Sequence, residues 1–443
     1  MQLTQEAYAR EIERHATWNL VVNLLDITFY SLAMSFIFGA TVLTLYASRL
    51  TNSALLVGLV PTVQNLAFVL PQLLMSRQAE RLPVKKWLLV RVSFIERLPY
   101  SWIGLLILFV PGLPPMLMYG ILLFSLLLAA GAGGIGAPAW KSMLSKVVPA
   151  NRRGFMFGVS SAAGSLLGLG GAWLSRHMLA TLPFPKPFAY SFLLCFVCQI
   201  ISYAFVALNR EPPRQAEGEA VSARDYWRRL PRVLQRNPNF SRYLAARGLI
   251  IMGSMATAFF MIFAKARFGV ADTFAAELTM AALLSQAIFT PLLGVVSDRK
   301  GLKWLIEFST VLQLAAMALV LVSPASAWLY GVFILVYAAS AGMMIASMAM
   351  SMEFSVPEDV PTFTALEGTV IAIPTMLAPL LGGWLVDHIS LGSGPVGGGP
   401  NVSGYQIMFV VAALFSLAGY VAMRWFVREP RYEAPGVGIG GAE

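Results

Sequence analysis

The chain has 443 residues, of which 57% are hydrophobic and only 12% charged, with a net charge of +10. A soluble domain carries about 45–50% apolar and about 25% charged residues, so this balance excludes one. The Lys and Arg residues are spread over loops, which excludes a nucleic-acid patch and leaves membrane orientation as their role.

Residues 1–16 mix acids and bases without a signal-peptide layout, and read as an amphipathic helix on the cytoplasmic membrane surface. Apolar stretches long enough to cross a ~30 Å hydrocarbon core then recur along the chain. They are read as helices, because lipid leaves backbone groups no partners outside their own segment. The first six spans fall near 17–48, 53–75, 87–110, 115–138, 155–179 and 187–208. The second six fall near 242–264, 273–296, 303–323, 326–350, 362–386 and 404–427. The expected architecture is an all-α membrane protein of twelve transmembrane helices in two pseudo-symmetric six-helix bundles, 17–208 and 241–428. A basic cytoplasmic linker, 209–240, joins them, and 429–443 reads as a disordered tail.

Alternate loops differ in charge. One set holds Arg77, Arg81, Lys85 and Lys86, then Lys141, Lys146, Arg152 and Arg153, then Arg299, Lys300 and Lys303. The opposite set, "VPGLPP", "VSPASAW" and "SLGSGPVGGGPN", has no Lys or Arg. The positive-inside rule puts the first set, and both termini, in the cytoplasm of a cell inner (plasma) membrane. Arg49, Arg176, Lys186, Lys265 and Arg267 stand against this rule on the outer side. The linker reads as a solvated basic segment, with anionic-lipid contact as the alternative.

The halves repeat. "PQLLMSRQAERLPVKKW" aligns with "PLLGVVSDRKGLKW", and "GGAWLSRH" (170–177) with "GGWLVDH" (382–388). Duplicated bundles around a central cavity are a recurring plan of secondary transporters. "GVVSDRKGLKW" resembles the G-x-x-x-D-R-x-G-R-K signature of the major facilitator superfamily. Gly294, Asp298, Arg299, Gly301 and Lys303 match, while Leu302 replaces the usual Arg. The first copy keeps Arg81 and Lys86, with Glu80 for the Asp and Pro83 near the second Gly. With twelve spans and a long basic middle loop, the resemblance covers nearly the whole chain.

The resemblance implies that this motif belongs to a cytoplasmic gate; a basic turn that only fixes topology is the alternative. Glycine at 294 and 301 is read as giving close helix approach and backbone freedom. Arg152 and Arg153 follow the fourth span, while Glu358 and Asp359 occupy the matching loop of the second half, a charge pattern suited to closing that face. Antiporter features are incomplete. "GSLLGLGGAWL" lacks the proline of the family's G-P-x-x-G-G, which appears only as Pro379, Gly382 and Gly383, and the intramembrane Arg early in the fourth span is missing.

An ionised group at mid-bilayer costs roughly 2.5–3.5 kcal/mol, so each demands a reason. Asn19, Asn23, Asp26 and Tyr30 fall on one helical face, which lines a cavity or a neighbouring helix. Asp26 is the first candidate for proton or substrate handling, with a structural hydrogen bond as the alternative. Glu96 is second; it and Arg97 point about 100° apart, and a structural ion pair is the competing role. Gln64, Asn65, Gln313 and Glu367 complete the candidate cavity set, and Glu307 joins the cytoplasmic charge layer. "AAGAGGIGAP" and "AASAGMMIAS" mark corresponding fourth spans and permit close helix contact. The methionine run after the second is packing filler or an adaptable wall.

The expected function is secondary active transport of a small, amphipathic solute by alternating access, proton-coupled and exporting. A lipid scramblase or a non-transporting sensor on the same fold is the alternative. No G-x-x-x-x-G-K-[ST] loop occurs. His15, His177 and His388 are far apart, and Cys195 and Cys198 stand alone, so no enzyme, metal site or cofactor is expected. The partners are the solute, protons and the bilayer, and the protein is expected to be a monomer.

Overall fold

The computed structural model describes residues 5–213, 234–354, 360–389 and 402–429. In chain order the helices are α1 (Gln5–Phe36), α2 (Thr44–Leu50), α3 (Ala54–Arg81), α4 (Lys86–Phe109), α5 (Pro115–Val147), α6 (Ala150–Thr181) and α7 (Lys186–Ala207). There follow α8 (Pro238–Met252), α9 (Phe260–Phe268), α10 (Thr273–Lys300), α11 (Leu302–Val322), α12 (Trp328–Glu353), α13 (Val360–His388) and α14 (Val402–Phe426). Among the described residues, 11 helical spans are long and apolar enough to cross a membrane, and 12 if α8 and α9, bent by 43°, are one.

The first span differs from the sequence expectation in two ways. The N-terminal segment is not a separate surface helix: α1 runs without a break from Gln5 into the first span. That span is itself interrupted, by a π-helical turn at Gly39–Leu43 before α2. Pro99, Pro138, Pro291, Pro374 and Pro379 all lie inside helices, where each removes one backbone donor. Neighbouring groups within a membrane bundle make such breaks tolerable.

The residues gather into two compact units. The first is built from the chain up to Thr51, from Val63 through α7, and from Asp272–Met280. The second takes Asn52–Thr62 and the remaining helices. In the first, α1 packs on α6 and α7, and α4 packs on α5 and α7. In the second, α8 packs on α13 and α14, and α11 packs on α12 and α14. These are the same four pairings, six spans apart, so the repeat seen in short motifs extends to the packing.

The units also share a fastening. Glu211, just past α7, accepts hydrogen bonds from the Lys85 and Lys86 N–H groups at 2.8 and 2.7 Å and from Lys146 Nζ at 2.7 Å. Glu429, just past α14, accepts from the Lys303 N–H at 3.2 Å. Each carboxylate therefore meets N–H groups at the start of the third span of its half, α4 or α11, where the helix dipole favours negative charge. The signal was present in the sequence as Arg-Glu-Pro at 210–212 and again at 428–430. Hydropathy reading passes over it, because the tripeptides sit in stretches read as linker and tail.

Candidate functional site

A cavity of about 240 Å³ opens inside the first unit, bordered by side chains of α1, α3, α4, α5 and α7. Asp26 and Tyr30 come from α1, Phe68 from α3, Ser93, Glu96 and Arg97 from α4, and Trp140 from α5. Helical spacing explains the α1 pair, since residues four apart share a face. Small residues on α5 make the room: the place of a Cβ on Gly133 lies 3.2 Å from Glu96 Oε1.

The polar groups form one connected set. Ser202 Oγ donates to Asp26 Oδ1 at 2.6 Å and accepts from Arg97 Nη2 at 3.0 Å. Arg97 also donates through Nε to the Gln199 carbonyl at 2.7 Å and through Nη1 to the Ser93 carbonyl at 2.8 Å. Tyr30 donates to Glu96 Oε1 at 3.1 Å, and Glu96 Oε2 lies 3.4 Å from Arg97 Nη1. Trp140 borders the same cavity as Asp26. Asp26 and Arg97 are 5% and 2% exposed, so these bonds replace water almost completely. Glu96 and Arg97 do touch, at the long end of an ion pair, which adjacent helical positions force.

The remaining candidates go elsewhere. Asn23 donates to Asn209 Oδ1 at 2.6 Å, and Asn19 bonds the Arg210 backbone, so the lower half of that α1 face holds the chain beyond α7. Gln64 and Asn65 are half-buried on α3 and do not border the cavity. Gln313 and Glu367 belong to the second unit. Gln313 Nε2 donates to Ser416 Oγ at 3.1 Å, a helix-to-helix bond between α11 and α14. Glu367 accepts from Tyr243 at 2.7 Å and lies 3.7 Å from Arg247 Nε. Arg247, only 6% exposed on α8, is a charged group that the sequence reading passed over.

The motif residues also separate. Gly301 takes φ +91° between α10 and α11, a conformation natural to glycine. Gly294 is different: it lies inside α10 and a Cβ there would meet nothing within 4 Å, so neither turn nor close approach requires it. Arg299 is exposed in the last turn of α10, where a cation suits the helix dipole. Lys86 donates to the Asn209 carbonyl at 2.8 Å. Lys303 donates to the Arg424 carbonyl at 3.2 Å and lies 3.6 Å from Glu307, which also meets Arg424 at 3.3 Å. Arg153 folds back to the Val148 and Ser145 carbonyls at the end of α5, while Arg152 is exposed. Glu358 and Asp359 lie outside the described residues, and the side chains of Glu80, Arg81 and Asp298 are likewise not described.

At the opposite ends of the helices, two of the cations that broke the charge rule find acids. Arg49 meets Asp272 at 2.6 Å, and Arg176 meets Glu277 at 2.7 Å, both within the first unit. In the second unit, Asp387 accepts from Ser53 Oγ and from the Ala54 and Leu55 N–H groups at 2.6, 2.8 and 2.9 Å, capping the start of α3. Arg176 and Asp387 occupy matching places in "LSRH" and "LVDH".

A polytopic helical protein with twofold-repeated packing and a charged cavity within its spans has the architecture on which secondary transporters are built. Among curated proteins, no sequence matches the chain. The Major Facilitator Superfamily profile matches residues 24–271 and 243–441, and the chain belongs to that family. It is an integral, multi-pass membrane protein of that fold. Solved structures agree at the level of fold. The nucleoside transporter NupG is 13% identical, with a TM-score of 0.65 over 92% of this chain and 98% of that one. A D-xylose–proton symporter is 13% identical, with a TM-score of 0.68 over 95% and 100%. A bacterial homolog of the human lysosomal transporter Spinster, inward-facing and unoccupied, is 13% identical with a TM-score of 0.65 over 93% and 97%.

Proposed function

We propose that the chain is a proton-coupled secondary transporter that takes a small amphipathic solute into the Asp26–Glu96 cavity and exports it by alternating access. The observation that carries the reading is a pair of carboxylates from different helices, Asp26 and Glu96, joined through Ser202, Arg97 and Tyr30 around one cavity. Intramembrane acids are retained where they serve an ion or solute path. The named activity of the D-xylose–proton symporter supports proton coupling as a property available to this fold.

In this reading the basic-loop end of the helices faces the cytoplasm of the inner membrane, with both termini. The Glu80–Lys86 and Asp298–Lys303 turns form the gate on that side, and Asp26 carries the proton. Purified protein in vesicles with an imposed pH gradient tests this directly. Solute accumulation should follow the gradient and be lost in Asp26→Asn. Lipid exchange that ignores the gradient, with no solute accumulation, overturns the transport reading in favour of a scramblase.

A further inference from the structure

We infer that the cavity selects a solute carrying a positive charge on a small apolar body. This rests on the reading of the cavity as the solute site. The first support is a count of charge: two acids, Asp26 and Glu96, border the space, against the single guanidinium of Arg97. The second is a count of donors. Arg97 spends Nε on Gln199, Nη1 on Ser93 and Glu96, and Nη2 on Ser202, so at most one of its five N–H groups is left for a solute. An anion entering here meets a guanidinium with at most one free N–H and more carboxyl groups than cations.

Acceptors are not exhausted in this way. Glu96 receives one good hydrogen bond, from Tyr30, and one long contact from its chain neighbour. An ionised carboxylate offers about four acceptor sites, so Glu96 keeps lone pairs for an ammonium group. The rest of the wall suits the apolar part of such a solute: Phe68, Trp140 and Tyr30 present rings, and Leu89 and Val206 add aliphatic surface. Aromatic faces attract cations and exclude no apolar body. The volume of about 240 Å³ limits the solute to a compact amine.

Three probes of matched shape and different charge test the inference: phenethylammonium, 2-phenylethanol and 3-phenylpropanoate. Binding is measured by isothermal titration calorimetry on the full chain in lipid nanodiscs. Phenethylammonium should bind at least tenfold more tightly than the alcohol, and the carboxylate should not bind. Glu96→Gln, which keeps the partner of Tyr30, should weaken the ammonium at least tenfold, and Asp26→Asn is the second variant. Cavity-filling Ala137→Trp, or the smaller Ala137→Leu, should abolish binding. If the alcohol or carboxylate binds as well as the ammonium and Ala137→Trp abolishes it, the charge preference is wrong and the cavity reading stands. If binding survives both filling variants, or none of the probes binds, both fall.

Discussion

Asn19 and Asn239 make the same pair of hydrogen bonds at matching stations of the two halves. Asn19 accepts from the Arg210 N–H at 2.9 Å and donates to its carbonyl at 3.0 Å. Asn239 accepts from the Arg428 N–H at 2.9 Å and donates to its carbonyl at 3.1 Å. Each ties the first helix of a half to the chain leaving its last. The surroundings differ, for Asn19 is 1% exposed while the Asn239 bonds face solvent. Asn19→Ala is therefore expected to cost about 1–3 kcal/mol, the penalty of partly buried backbone groups left unpaired beneath a fully buried side chain. Asn239→Ala should cost about 1 kcal/mol or less. Unfolding temperatures of the two variants in detergent check the order.

The Glu211 fastening predicts a second asymmetry. Its side chain is fully buried against Lys146 and two helix N–H groups. Glu211→Ala removes the shared acceptor and is expected to cost about 3–5 kcal/mol, because Lys146 is left without its counter-ion. Lys146→Met should be milder, since Glu211 keeps the Lys85 and Lys86 donors. Equal thermal shifts in the two variants would count against this.

Helix contact on α5 is a matter of single methyl groups. A Cβ on Gly134 would run into the Phe68 backbone of α3, whereas one on Gly170 of α6 meets nothing within 4 Å. Gly134→Ala should push α3 away and lower stability by about 1–3 kcal/mol, as overpacking does. Gly170→Ala should raise stability by about 0.5–1 kcal/mol through helix propensity. The sign difference is readable from paired melting curves.

Asp387 and Arg176 stand at equivalent positions and should differ in worth. Asp387→Ala strips a cap that satisfies two N–H groups of α3, with an expected cost of about 1–2 kcal/mol. Arg176→Ala breaks a pair whose arginine side chain is 49% exposed. Its expected cost is about 0–1 kcal/mol, shrinking further in high salt. A larger shift in Arg176→Ala than in Asp387→Ala would contradict the comparison.

How far the sequence reaches depends on the range of the interaction. The spans, the repeated motifs and the small-residue surfaces of "AAGAGGIGAP" are local patterns, and each has a direct counterpart in the helices. The face of α1 was legible as polar, but its division was not. Asp26 and Tyr30 border a cavity, while Asn19 and Asn23 serve Arg210 and Asn209, close to 190 residues away. Arg97 was readable as an intramembrane charge, yet its tie to Gln199 and Ser202 of α7 was not.

The sequence by itself determined the helical membrane class, the doubled arrangement and the family, because burial in lipid writes a long apolar period that needs no partner to be recognised. Only the tertiary structure decided which charges meet. Arg49 and Arg176 stood as exceptions until folding brought Asp272 and Glu277 to them, and Glu211 became a helix cap only once α4 began beside it. Hydropathy is summed along a segment, whereas a hydrogen bond is chosen by distance and angle between helices, and those are set by packing.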